Sequence, residues 1–168
     1  MTVKETVILA AEKLGLGARV RGFLENNASE GKEETETLVR CFNVVENEVA
    51  LDYLPLRCED EAESETGVIR YEGGNAAPFK LFPSYLKTQP GRVRIEYTYT
   101  PEKKTAEDKS DYEILASPRL FAYGIAAEYC LACGLFEEAA VWDKKYKDAL
   151  TAAYRSRPSR VIRSRRWA

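Results

Sequence analysis

Arg92-Val-Arg-Ile-Glu-Tyr-Thr-Tyr-Thr100 decides the fold class of this chain. Val93, Ile95, Tyr97 and Tyr99 alternate with Arg92, Arg94, Glu96, Thr98 and Thr100. Successive side chains of a strand point to opposite faces, so this period of two marks a strand with one apolar face. Two weaker strands precede it, around residues 67–72 and 78–86. Gly73-Gly74-Asn75 suits a turn between them, and Pro90-Gly91 suits a type II turn before the clear strand. Together they predict a small antiparallel β meander. The acidic run Glu59 to Glu65 and the charged stretch Pro101 to Lys109 flank it and read as solvated loops.

On both sides of the meander the apolar period lengthens to that of a helix. Thr2 and Glu5 stand at capping-box spacing. Val3, Val7, Ala10, Ala11 and Leu14 share one face of a helix over residues 2–14, which Gly15 closes. Leu16 to Asn27 reads as a short helix or a turn, because Gly17 and Gly22 weaken anything longer. From Glu33 to Leu54, Leu38, Cys41, Phe42, Val45, Val49 and Tyr53 recur at steps of three and four, and Pro55 stops the helix.

Downstream, Ser117 is an N-cap with Pro118 at the first helical position. From Leu120 to Cys133 the only charge is Glu128, and Ala122, Gly124, Ala126, Ala127 and Ala132 are small. A helix apolar nearly all round and rich in small residues packs closely on several sides. Gly134 ends it. The last helix, Phe136 to about Arg155, carries the stripe Ala139, Trp142, Tyr146, Ala149, Leu150 and Ala153. Its other face pairs Asp143 with Lys147 and Lys144 with Asp148. The fold class that follows is α+β. Helices from both chain ends form a bundle over residues 1–154, the meander is inserted at about 60–105, and an Arg-rich tail occupies 155–168.

Composition narrows the function classes. With 45% hydrophobic and 31% charged residues, the chain has a globular rather than a disordered balance. It contains no histidine, which removes the commonest general base and the commonest metal ligand. No signal-peptide pattern opens the sequence. The longest apolar run, Leu120 to Phe136, is interrupted by Glu128 and falls short of the roughly 20 residues of a membrane span, so no membrane partner is expected. The four Cys come without secretory context, so reduced thiols are expected.

Cys130 and Cys133 form a C-x-x-C pair. A redox pair of this kind sits at a helix N-terminus, where the dipole lowers the thiol pKa. Here the pair lies inside an apolar helix, where burial raises it. Zinc would need two more ligands, and Cys41 already belongs to a core stripe. Both thiols therefore read as buried and structural. The run Glu59, Asp60, Glu61, Glu63, Glu65 lacks the spacing and central Gly of a calcium loop. Gly15-Leu16-Gly17 follows a helix rather than a strand, so it is no nucleotide loop. Glu128 reads as facing solvent or a subunit neighbour. No catalytic residue, cofactor or metal site is expected.

The tail is the least ordinary feature. It holds six Arg and no acid, leaving 19 bases against 27 acids, a net −8, on the rest of the chain. Such a tail on such a body suits docking on something acidic. The candidate partner-binding residues are Arg155, Arg157, Arg160, Arg163, Arg165, Arg166 and Trp167. Arg favours bidentate contact with carboxylate or phosphate, and Trp with Arg is common hot-spot chemistry of protein interfaces. A solubilising end and a nucleic-acid contact are the other two readings, the latter weakened by the acidic body.

The segment Ser117-Pro-Arg-Leu-Phe-Ala-Tyr-Gly-Ile-Ala-Ala-Glu-Tyr-Cys-Leu-Ala-Cys-Gly-Leu-Phe-Glu-Glu-Ala-Ala-Val-Trp-Asp-Lys-Lys-Tyr-Lys-Asp-Ala-Leu150 resembles the closing helix pair of bacteriophage head–tail connector (adaptor) proteins. The second helix of that pair is matched here by Glu138-Ala139, Trp142, Tyr146 and Ala149-Leu150. Asn47-Glu-Val-Ala-Leu-Asp-Tyr-Leu-Pro-Leu56 resembles the end of the family's long helix, and the order of elements is similar over most of the chain. The resemblance implies a structural, non-enzymatic virion protein, assembled in the bacterial host cytoplasm. It implies self-association into a ring between the portal protein and tail-completion proteins. The runner-up function is a nucleic-acid-binding accessory protein that uses the Arg-rich tail.

Overall fold

The computed structural model describes residues 1–26, 28–70, 85–87, 89–112 and 116–155, and the chain is α+β. It divides into two compact units, one of residues 1–45 and 104–168 and the other of residues 46–103. In the first unit, α1 spans Val3–Lys13, α2 spans Gly17–Asn26 and α3 begins at Lys32, running to Glu48. The closing pair is α4, Pro118–Ala132, and α5, Phe136–Arg155.

The helix ends follow from their local sequence. Thr2 and Glu5 make the capping box in full: Thr2 Oγ1 accepts from Glu5 N, and Glu5 Oε2 accepts from Thr2 N. Two further N-terminal donors of α1, Val3 N and Lys4 N, find Asp108 O and Ala106 O, each at 3.0 Å. The charged stretch 101–109, expected to be a solvated loop, is thus a hydrogen-bonded strap. Thr105 N and Oγ1 donate to Asp108 Oδ2, and Lys104 N donates to Asn43 Oδ1 on α3. Backbone donors at a helix start need partners, and a strap of short polar residues supplies carbonyls that periodicity does not reveal.

α1 and α4 end in the same way. Gly15 and Gly134 both take φ 75°, which a Cβ disfavours. Leu16 N reaches Ala11 O and Leu135 N reaches Cys130 O, both at 2.8 Å, the long bond of a Schellman motif. The second motif turns α4 straight into α5.

The core of this unit is helical. Val3, Val7, Ala10 and Ala11 of α1, Leu38, Phe42 and Val45 of α3, and Phe121, Ile125 and Ala126 of α4 are all fully buried. Phe121 stacks on Phe42 and tilts against Tyr112, with ring centroids 5.6 Å apart in each case. α4 packs on α1 and α5, and its small residues permit the approach. A Cβ added at Gly124 would lie 2.8 Å from Val45 Cγ1 and 3.0 Å from Tyr146 Cε2.

In the second unit the helical stripe changes. Val49 is buried as expected, but Tyr53 is 37% exposed. Leu54 N donates to Val49 O, five residues back, at 2.7 Å. This wider turn rotates the following side chains by roughly 100° relative to an α-helix, so Ala50 and Leu54 are buried in place of Tyr53.

Among the described residues the strands pair as an antiparallel hairpin. β1, Leu56–Ser64, pairs antiparallel with β4, Gly91–Tyr99; β2, Val68–Arg70, pairs with β3, Tyr85–Lys87. The two ladders share one register. Continued residue by residue past Ser64↔Gly91, the first would bring Val68 opposite Lys87, where the second starts. The predicted strand 67–72 contains β2, while Gly73-Gly74-Asn75 and most of the predicted strand 78–86 lie outside the described residues.

The acidic run 59–65 is a correction: expected to be a loop, it forms most of β1. Its alternation is hidden because charge occupies both faces, Glu59, Glu61 and Glu63 on one and Asp60 on the other. The compensating charges come from β4. Arg94 pairs with Glu59, Arg92 with Glu61, and Glu96 with Arg57 at 3.1 Å. All three are diagonal neighbours on one face of the ladder. The opposite face carries Leu56, Cys58 and Ala62 against Tyr99, Tyr97 and Val93, of which Leu56 and Tyr97 are buried.

Candidate functional site

Of the tail residues singled out as partner-binding, Arg155 is the last residue of α5 and is exposed. Arg157, Arg160, Arg163, Arg165, Arg166 and Trp167 lie outside the described residues.

The thiols divide. Cys41 and Cys130 are buried, as expected of structural thiols. Burial, with the nearby Glu128 and Cys133, pushes the Cys41 thiol up to about 11. Burial, then Glu138 and Cys133, also raises Cys130. Cys133 departs from expectation. α4 ends one residue before it, so Cys133 occupies the C-cap and is exposed. Among the described residues no group of three His, Cys, Asp or Glu side chains could hold a metal ion, and no helix is long and apolar enough to cross a membrane.

A cluster that sequence reading missed lies on the first unit. Tyr123 of α4 and Trp142 of α5 stack with ring centroids 5.9 Å apart and planes 29° apart. Three cations surround them. Lys13, the last residue of α1, stands 5.0 Å from the Tyr123 ring, Arg119 stands 5.3 Å from it, and Lys145 stands 4.1 Å from the Trp142 ring. Arg119 Nε also donates to Tyr123 Oη at 2.7 Å. That hydrogen bond, reinforced by the charges of Arg119, Lys13 and Lys145, lowers the Tyr123 phenol below its ordinary value. Among the described residues none of the three cations is held by a carboxylate. Two local signals exist in the sequence: Arg119 and Tyr123 are four apart, and Trp142 and Lys145 three apart, so each pair shares a helix face. Lys13 joins them only through the packing of α1 on α4.

At the closed end of the α4–α5 pair, where the two helices meet, the surface is apolar and acidic. Leu131 is 48% exposed, Leu135 46% and Phe136 70%, all within one tight turn. Glu137 and Glu138 follow directly, exposed in the first turn of α5. Their charge is favourable there, since it faces the positive end of the helix dipole.

No family model matches the chain, and no curated protein or solved structure matches it.

Proposed function

We propose that this chain is a structural assembly protein of the phage or prophage head–tail connector type, a non-enzymatic subunit of a ring placed between portal and tail. The observation that carries the reading is the exposed apolar turn Leu131, Leu135, Phe136. It caps the same helix pair whose residue pattern resembles the closing helices of connectors. A large side chain such as Phe136, left 70% exposed beside two more exposed apolar residues, marks a surface that a partner covers. The order of elements supports the same reading: helices, a helix ending at Leu54-Pro55, a β hairpin, then the helix pair.

The test is negative-stain imaging of the concentrated full chain, alone and with a portal protein. Closed rings, or a ring-shaped layer on the portal, are expected. A monomer that forms no ring in either setting overturns the reading. Tight, salt-sensitive DNA binding lost on deletion of residues 156–168, with assembly unchanged, would replace it by the nucleic-acid function.

A further inference from the structure

We infer that the ring contact is head-to-tail: the Leu135-Phe136-Glu137-Glu138 turn of one copy docks on the Tyr123–Trp142 platform and its cations in the next copy. This inference rests on the connector reading and gives that reading a specific surface.

The two patches are complementary in charge and in character. The platform has two aromatic rings and three cations without carboxylate partners among the described residues. The turn has exposed apolar side chains and two exposed carboxylates in adjacent positions. Phe136 against the Tyr123–Trp142 edge, with Glu137 and Glu138 toward Lys13, Arg119 and Lys145, buries apolar area and pairs the charges together.

Among the described residues no ion pair joins Glu137 or Glu138 to Lys13, Arg119 or Lys145 within one chain. Arg119 and Leu131 stand twelve residues apart on α4, roughly 18 Å, while Trp142 follows Phe136 by six residues on α5, roughly 9 Å. Both patches belong to the same helix pair, the turn at its closed end and the platform about one to three turns along it, so each copy presents both a donor and an acceptor. Such a heterologous contact repeats, and it closes into a ring when the rotation per subunit allows.

The geometry favours a protein over a nucleic acid at this platform. Base stacking needs open ring faces. Here Tyr123 and Trp142 face one another and are overlaid by Lys13, Arg119 and Lys145, so what remains for a ligand is mainly positive charge. The rest of the chain outside the tail is net −8, which repels a phosphate backbone and admits a partner presenting a few placed carboxylates.

The test uses two variants of the full chain. One reverses the platform, Lys13→Glu with Arg119→Glu and Lys145→Glu; the other reverses the turn, Glu137→Lys with Glu138→Lys. Sedimentation velocity across a concentration series reads assembly. Each variant alone should weaken self-association by about tenfold or more. An equimolar mixture should regain it, because each variant then meets its complement in an alternating oligomer. A misfolded variant could not be rescued in this way, so the mixture separates lost charge from lost fold. Rings that form equally well in both variants would overturn the head-to-tail contact and leave the connector reading standing. A wild-type chain that never self-associates and forms no ring on a portal would overturn both. Loss of single-stranded oligonucleotide binding in the platform variant, with assembly intact, would reassign the platform to nucleic acid.

Discussion

Gly124 of α4 faces Val45 of α3 so closely that a methyl group in place of its hydrogen would stand 2.8 Å from Val45 Cγ1. An exposed helical Gly→Ala change stabilises by roughly 1 kcal/mol. Here the added carbon meets a stiff β-branched side chain and, on its other flank, the ring of Tyr146. Overpacking of this kind costs about 1–3 kcal/mol, so the net effect of Gly124→Ala should be destabilising. Chemical denaturation should show it, and the double variant Gly124→Ala, Val45→Ala should show less clash than the sum of its parts.

The start of α1 gives a pH-dependent prediction. Hydrogen bonds from the Thr2 backbone and hydroxyl hold the Glu5 carboxyl below its ordinary 4.5. A depressed carboxyl contributes stability that is present above pH 4.5 and is lost as pH falls through its folded-state value. Thr2→Ala removes the side-chain cap on Glu5 N and should cost about 1 kcal/mol near neutral pH. The gap between the melting temperatures of wild type and variant should narrow only slightly in acid, because the Thr2 backbone N–H, the larger cause of the shift, remains in the variant.

Cys41 predicts the opposite limb. Its thiol is raised from 9.0 to about 11, chiefly by burial. The folded chain then keeps a proton that the unfolded chain releases, so this contribution is complete below pH 9 and lost as pH rises through 11. Cys41→Val should flatten that part of the stability profile. In the native protein a thiol reagent should reach the exposed Cys133 first and leave Cys41 and Cys130 until unfolding.

The charged face of the hairpin should be worth little per pair. Glu59 and Arg94 are both largely exposed, and cross-strand pairs of this kind contribute about 0.2–1 kcal/mol. A double-mutant cycle on Glu59 and Arg94 should give a coupling in that range. It should shrink in concentrated salt, as exposed charges are screened.

The gap between sequence and structure falls where partners are distant. The Ser117 cap, the Glu5 box and the glycines at 15 and 134 act within one helical turn, and the residues concerned sit side by side in the chain. Periodicity likewise marked the buried faces of α1, α4 and α5. β1 was illegible for the opposite reason. Glu59 and Glu61 look like a solvated run until Arg94 and Arg92, more than thirty residues on, stand beside them. Tyr53 was misplaced because the winding of the helix changes at Val49, a matter of one hydrogen bond that no side-chain pattern encodes.

By itself, then, the order of residues determined the α+β class, the capped starts of α1 and α4, the hairpin's clearest strand and the small-residue face of α4. These depend on backbone propensity, capping and a period of two or 3.6, all local quantities. Only the tertiary structure decided that the acidic run is a strand, that Cys133 is open to solvent, and that Lys13, Arg119, Tyr123, Trp142 and Lys145 make one surface. Three helices contribute to that surface, α1 more than a hundred residues from α4 and α5, and the packing of α4 against α1 and α5 brings them together. Packing of that kind depends on the shapes of side chains in contact, and no window of sequence contains both sides of the contact.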